Sequence, residues 1–374
     1  MMTRTRVPLT FRPDDKGILP DRLIAKLADA GGIPHANEFD PDQIQPASLD
    51  LRLGEVAYRV RASFLPGPGA TVAERIDDLK LHEFALGDGA VLETGCVYIV
   101  PLAESLALPT DLAATANPKS STGRLDVFTR VIADGTRGFD RIGAGYHGPL
   151  YAEISPRTFP VLVREGSRLS QLRFRRGQAA LDAETLAALH AHERLVDDAS
   201  ADVRDGVGVS VDLAGFGPER FIGYRAKRHT GVVDVDRRAG YAVDDFWEPL
   251  RAREDRALIL DPDEFYILAS KEAVHVPPDY AAEMVPFDPL VGEFRVHYAG
   301  FFDPGFGHAE AGGHGSRAVL EVRSREVPFI IEHGQTVGRL IYEKMMARPD
   351  QLYGADIGST YQAQGLKLSK HFRV

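Results

Sequence analysis

The chain carries its own sequence twice, and this limits what it can fold into more than any other feature does. Leu92-Glu-Thr-Gly-Cys-Val-Tyr-Ile-Val returns as Leu260-Asp-Pro-Asp-Glu-Phe-Tyr-Ile-Leu, and Pro109-Thr-Asp111-Leu-Ala-Ala returns as Pro277-Pro-Asp279-Tyr-Ala-Ala. Glu153 in Leu-Tyr-Ala-Glu-Ile matches Glu321 in Ala-Val-Leu-Glu-Val, and Gly166-Ser-Arg-Leu-Ser-Gln-Leu-Arg-Phe174 matches Gly334-Gln-Thr-Val-Gly-Arg-Leu-Ile-Tyr342. Every pair stands 168 positions apart, one register held throughout. Upstream, Ser48-Leu-Asp50-Leu and Ser210-Val-Asp212-Leu correspond at an offset of 162. The chain is a duplicated domain, read as residues 1–196 and 197–374, with the polar stretch Asp197–Gly208 as linker.

Each copy reads as mainly β. Leu150, Ala152 and Ile154 alternate with Tyr151, Glu153 and Ser155, and Ala318, Leu320 and Val322 alternate likewise, so both glutamates lie opposite the small apolar set. Glycine (36) and proline (24) are spread along the chain, which suits many short strands joined by turns. Two helices are expected: residues 21–30 after Pro20, with Asp21 as cap, and residues 183–195 after Asp182.

Composition removes several function classes. A net charge of −10 argues against a nucleic-acid-coating surface. The single Cys96 excludes an intramolecular disulfide and any site needing two thiolates. The first fifteen residues lack a signal-peptide core, and no run reaches the roughly 18 apolar residues of a spanning helix. The expectation is a cytoplasmic protein with no membrane partner.

Two motifs mislead. Gly143-Ala-Gly145-Tyr-His-Gly148 fits the dinucleotide fingerprint, but a strand-like segment follows it where a helix should open, so it reads as a β-turn. His190 and His192 sit at i and i+2 of a helix and point to different faces, which does not suit a metal. The H-x-E…P-C-x-x-C signature of zinc deaminases is absent.

The densest polar cluster is Asn117-Pro-Lys119-Ser120-Ser121-Thr122-Gly123-Arg124: two cations, three hydroxyls and a glycine-loosened backbone, the combination that holds phosphate oxygens. Its counterpart in the second copy, Pro286-Phe-Asp288-Pro-Leu-Val-Gly292-Glu293, has acids in place of the cations and hydroxyls. One copy can receive phosphate there and the other repels it.

At these residues the chain resembles the dCTP deaminases of the dUTPase-like superfamily, in the double-length bacterial form. The carriers are Ser48-Leu-Asp50-Leu-Arg-Leu-Gly54, Lys119-Ser-Ser-Thr-Gly-Arg124, Gly148-Pro-Leu-Tyr-Ala-Glu153, Gly166…Gln171-Leu-Arg-Phe174 and Tyr361-Gln-Ala-Gln364-Gly365. The resemblance implies a mainly β chain of two tandem dUTPase-like domains, each a distorted jelly-roll or β-clip with a few short helices. It also implies a homo-oligomer, a trimer or another assembly of the repeated domains, with sites between domains. The implied reaction is hydrolysis of dCTP to dUTP and ammonia without catalytic zinc, Mg²⁺ entering only with the triphosphate, and dTTP as a possible inhibitor.

Carried over by residue, Ser120 and Arg124 position the attacking water, while Lys119, Ser120 and Ser121 bind phosphates. Glu153 is the general base and proton shuttle, and Gln171 lies near the base. Tyr361 and Gln364 belong to a C-terminal lid. Copy one departs from the pattern: it keeps Arg141-Ile142 but has Phe139 where the family has an Ala facing the water, and Gly143-Ala144 for Asp-Pro. Copy two keeps Ala299 and Asp303-Pro-Gly305 beside the sugar, but has Phe301 where the family has an Arg. Two arrangements follow. One is a composite site with Lys119, Ser120, Ser121 and Arg124 from copy one facing Ala299, Asp303 and Glu321 from copy two; the other is a site between first copies using Glu153. Two other activities stay open: a dUTPase or bifunctional enzyme that also cuts the α–β phosphate bond, and a non-catalytic nucleotide-binding regulator.

Overall fold

The computed structural model describes residues 10–35, 37–198, 200–286, 294–297, 300–324, 326–354 and 365–373, the backbone alone at Pro286 and 294–297. Among these the duplication is written in the strand boundaries. Leu112–Pro118 returns as Tyr280–Pro286, Arg168–Arg176 as Thr336–Lys344, and His147–Pro156 as Ser316–Ser324. The chain is mainly β with a few short helices, as expected.

Each copy pairs two sheets face to face. In the first, one sheet runs Arg141–Ile142, Leu112–Pro118, Arg168–Arg176, Ser48–Arg52, Ile44–Gln45, and the other runs Lys80–Ala85, Val56–Val60, Val97–Ala107, His147–Pro156, Val127–Ala133. In the second copy, Val207–Ser210, Thr336–Lys344, Tyr280–Pro286 and Phe301–Phe302 form one sheet. Trp247–Arg251, Phe221–Ala226, Phe265–Val274, Ser316–Ser324 and Phe294–His297 form the other. The alternation read from sequence is real: Leu150, Ala152 and Ile154 enter the main core, while Tyr151 packs with Ile99 and Ile132 on the opposite face. Both faces of this strand are covered, so Glu153 is buried at 1% exposure.

The two copies interlock. Val233–Asp234 of the second adds a parallel strand to Val161–Val163 of the first, and Arg164 clamps Asp234 through both terminal nitrogens at 2.7 and 2.9 Å. Trp247, fully buried, stacks edge-on to Phe159 at 5.3 Å and Phe372 at 5.8 Å, so chain end, second copy and first copy share one aromatic cluster.

Three details differ from the sequence reading. The expected helix forms as Ala183–His192, with the Asp182 side chain capping it, but Leu186, with Leu195 and Val196 beyond it, packs in the second core rather than ending the first copy. Asp197 and Asp198 bond Ala273 and Lys271, which ties the expected linker down. The other helix, Asp21–Asp29, has Pro20 at its cap position, and the Asp21 carboxylate instead accepts from the backbone N–H groups of Asp350 and Gln351. Gly143 to Tyr146 is a turn with Gly145 at φ +72°, and His190 Nδ1 accepts from Leu195 N.

Candidate active site

The site begins where strand Leu112–Pro118 ends. Lys119 N donates to Leu169 O, and the chain then coils into one helical turn, Ser120–Gly123, closed by Gly123 N to Lys119 O and Arg124 N to Ser120 O. This turn points a half-buried Lys119 and Ser120 outward and buries Arg124 at 3% exposure. Lys119 Nζ is held by the Asp50 carboxylate, which Arg168 also approaches at 3.4 Å. Asp50 of the Ser-Leu-Asp motif is therefore the counter-charge that aims the lysine.

Strand Arg168–Arg176 supplies the floor. Gln171 pairs in register with Asn117 on one side and Asp50 on the other, and Arg173 with Thr115, so these polar residues share the face opposite Leu172 and Phe174. Gln171 accepts weakly from Ser48 Oγ at 3.4 Å. Across from this polar face stands the second copy.

There Glu321 meets Arg124. Its Oε1 lies 3.8 Å from Arg124 Nε, and both side chains are nearly fully buried. Burial pushes the Glu321 carboxyl up to about 8, against the opposing pull of the Arg124 charge. Asp303, also buried, is bonded to Arg173 at 3.1 Å; burial raises its pKa, and its electrostatic neighbours include Asp50 and Lys119. The structure thus brings Lys119, Ser120, Ser121, Arg124, Asp303 and Glu321 to one inter-domain face.

Glu153 sits differently. Arg130, its cross-strand partner, takes Oε1 with Nε at 3.1 Å and Nη2 at 2.5 Å. The same guanidinium stacks 3.4 Å from the centre of the Phe139 ring and 4.6 Å from that of Phe128. Phe139, which stands at the departure noted in sequence, thus backs an ion pair that occupies the glutamate. In the second copy the residue in register with Glu321 is His297, so no arginine stands at that cross-strand position. Arg141 is exposed on a short edge strand, paired with Thr115. Ala299, Tyr361 and Gln364 lie outside the described residues.

The chain end just past the expected lid is described, and it straps the Ser120–Gly123 turn. Arg124 Nη1 donates to Lys367 O at 2.9 Å, and Ser369 Oγ donates to Ser121 O at 2.8 Å. His371 is locked between Ser369 Oγ and Val235 O, both 2.8 Å, and burial drives its ring pKa down to about 4. Lys370 is thereby held near Lys119 and Asp50; burial first, then repulsion from Lys119 and Arg238, lowers its pKa to about 8. Among the described residues no group of three or more His, Cys, Asp or Glu is placed to hold a metal ion. No helix there is long and apolar enough to cross a membrane.

Residues 15–178 match the model of the 2'-deoxycytidine 5'-triphosphate deaminase N-terminal domain, and residues 182–372 match that of its C-terminal domain. The chain belongs to the dCTP deaminase family. Its two halves are the two domains of that family's double-length form. A solved dCTP deaminase structure from Agrobacterium tumefaciens is 66% identical, with a TM-score of 0.86 over 88% of this chain and 99% of that one. A dCTP deaminase of Halorubrum lacusprofundi is 30% identical over 41% of this chain and 73% of its own length. A relative from Corynebacterium kroppenstedtii described as dCTP deaminase, dUMP-forming, is 33% identical over 41% of this chain and 79% of its own.

Sequence reasoning misses three residues of this deaminase's inter-domain face: Asp50, Arg173 and Lys370. Asp50 stands in a carrier motif without an assigned task. Arg173 carries a legible signal, standing two positions beyond Gln171 on one strand and so on the same face. Lys370 carries none, because its place depends on the strap that Ser369 and His371 fasten.

Proposed function

We propose that this deaminase hydrolyses Mg²⁺-bound dCTP to dUTP and ammonia in the cytosol, at a composite site between its two domains. The carrying observation is the pairing of Arg124 from the first copy with Glu321 from the second. Lys119 and the Ser120–Gly123 turn supply cations, hydroxyls and backbone N–H groups for the triphosphate, with Lys370 as a further cation. Asp303 takes the sugar side and Gln171 the base. Tyr361, Gln364 and Ala299 complete the lid and the water site.

Glu321 acts as general base without a catalytic metal. The ionised carboxylate takes a proton from water held with Ser120 and Arg124, and the oxygen bonds to C4 of the cytosine ring. Glu321 passes that proton to ring nitrogen N3, giving a tetrahedral carbon that bears the new hydroxyl. Glu321 then takes the proton of the C4 hydroxyl and delivers it to the amino group, the C4–N bond breaks, and ammonia leaves as the C4 carbonyl forms. A carboxyl whose pKa lies near the working pH is suited to both steps, and Arg124 stabilises its charged form and the charge that develops.

A second reading, continuation to dUMP and pyrophosphate, is favoured by the relatives described as dUMP-forming. Against it, Asp303, the carboxylate that the second copy keeps beside the site, is already bonded to Arg173. The test is incubation of chelator-treated protein, resupplied with Mg²⁺, with dCTP and separation of the products. dUTP and ammonia without pyrophosphate support the proposal; dUMP and pyrophosphate establish the second reading, and bound dCTP without turnover overturns both.

A further inference from the structure

Arg173 is 1% exposed and belongs to the first copy, yet its partners are in the second. Nη1 donates to Ala282 O at 3.1 Å and approaches Glu343 Oε2 at 3.4 Å. Nη2 donates to Asp303 Oδ1 at 3.1 Å and to Phe302 O at 3.4 Å. The guanidinium carbon lies over the Phe301 ring, 4.0 Å from its centre. Nε is buried without a hydrogen-bond partner. A buried guanidinium with an unsatisfied nitrogen is costly, so its retention calls for a reason beyond packing.

The duplication sharpens the point. The residue at the same register in the second copy is Ile341, so the arginine occurs once per chain. It lies against Phe301, the position where the second copy has lost the arginine of the family pattern, and against Asp303, which the second copy has kept. A cation has left one domain and a cation from the other domain occupies the space beside the same aspartate.

We infer that Arg173 is a positioning residue that replaces the guanidinium missing at Phe301: it holds Asp303 oriented so that the aspartate recognises the 3′-hydroxyl of the bound deoxynucleotide. The inference rests on the reading of Asp303 as the sugar-side residue. Its logic is electrostatic and steric together. A fully buried carboxylate without a cation takes up a proton, which turns one of its oxygens into a donor and weakens the other as an acceptor, and one with a mobile cation has no fixed direction. Stacking on Phe301 and the two backbone carbonyls leave the Arg173 fork one orientation, and the aspartate inherits it.

The experiment compares dCTP with 2′,3′-dideoxycytidine triphosphate as substrates for the full-length protein, by kcat/KM. A hydrogen bond to a charged group discriminates by about 10- to 150-fold, and the wild-type protein is expected to prefer dCTP by that margin. Arg173→Met is expected to cut the preference to within about 3-fold, through KM for dCTP, while turnover of the dideoxy substrate stays near wild type. That second readout shows that the fold and the reacting centre survive. Asp303→Asn serves as the control for the underlying reading: if it keeps the full preference, Asp303 does not read the sugar and that reading fails. If Asp303→Asn loses the preference and Arg173→Met keeps it, the role of Arg173 is overturned while the reading stands. Should Arg173→Met not fold, Arg173→Lys decides, since an ammonium restores charge without the fork or the stacking. A full preference in that variant overturns the inference, and a reduced one supports it.

Discussion

Replacing Glu321 by glutamine tests the proposed chemistry through two quantities that move in opposite directions. The glutamate is nearly fully buried, and its pKa is raised to about 8 from an ordinary carboxyl value near 4.3. A carboxyl raised on folding gives its full stability below the unfolded value, and that stability is lost as the pH climbs toward the folded value. At pH 7 the loss is about 3 kcal/mol. A neutral amide at this position carries no such charge, so E321Q is expected to melt several degrees above wild type at pH 7 and to match it near pH 4. The same substitution removes the general base, and loss of a positioned base lowers turnover by about 10²- to 10⁴-fold. The assay is ammonia release at saturating dCTP beside a thermal melt at both pH values. Glu153→Gln gives the contrasting pattern. Breaking its partly buried pair with Arg130 costs stability, while turnover stays within a few-fold of wild type. Slow turnover in E153Q with normal turnover in E321Q would refute the reasoning, and so would an E321Q protein that melts lower at pH 7.

Other expectations follow from the same geometry. Because Glu321 must be ionised to accept a proton, kcat/KM for dCTP is expected to rise with pH through about 8 and level above it, and E321Q is expected to lose that limb; a flat profile from pH 6 to 9 contradicts it. Lys370 is depressed to about 8 by burial and by Lys119, so an incoming triphosphate raises it and binding at pH 8 takes up protons. Calorimetry in two buffers of different ionisation heat is expected to show uptake that falls in Lys370→Met, together with a raised KM. Trp247→Ala empties the aromatic cluster between the copies and is expected to cost about 3–5 kcal/mol in denaturant unfolding; a change under about 1 kcal/mol would mean the copies do not depend on it.

How much of this is legible in the sequence depends on whether a feature is local or relational. The offset of 168 survives into the strand boundaries because equivalent residues meet equivalent surroundings, and the alternation around Glu153 gives its face correctly. The helix at Ala183–His192 is found as a helical segment after Asp182, but its side of the boundary is not, since only tertiary packing places Leu186 in the second core. The two glutamates look interchangeable as strings. What separates them is the cross-strand neighbour, Arg130 beside Glu153 and His297 in register with Glu321, a pairing fixed by sheet register rather than by sequence distance. Arg173 and Lys370 belong to the same class: each takes its partners from the other end of the chain.

The most direct test of a composite site within one chain is complementation. Arg124→Ala and Glu321→Gln variants are purified alone and also co-expressed with different tags, and mixed assemblies are captured through both tags. If Arg124 and Glu321 act within one chain, every site in the mixed assembly lacks one partner, and deamination stays at the level of the separate variants. Activity restored to a substantial fraction of wild type would place the two residues of each site on different chains and contradict the account.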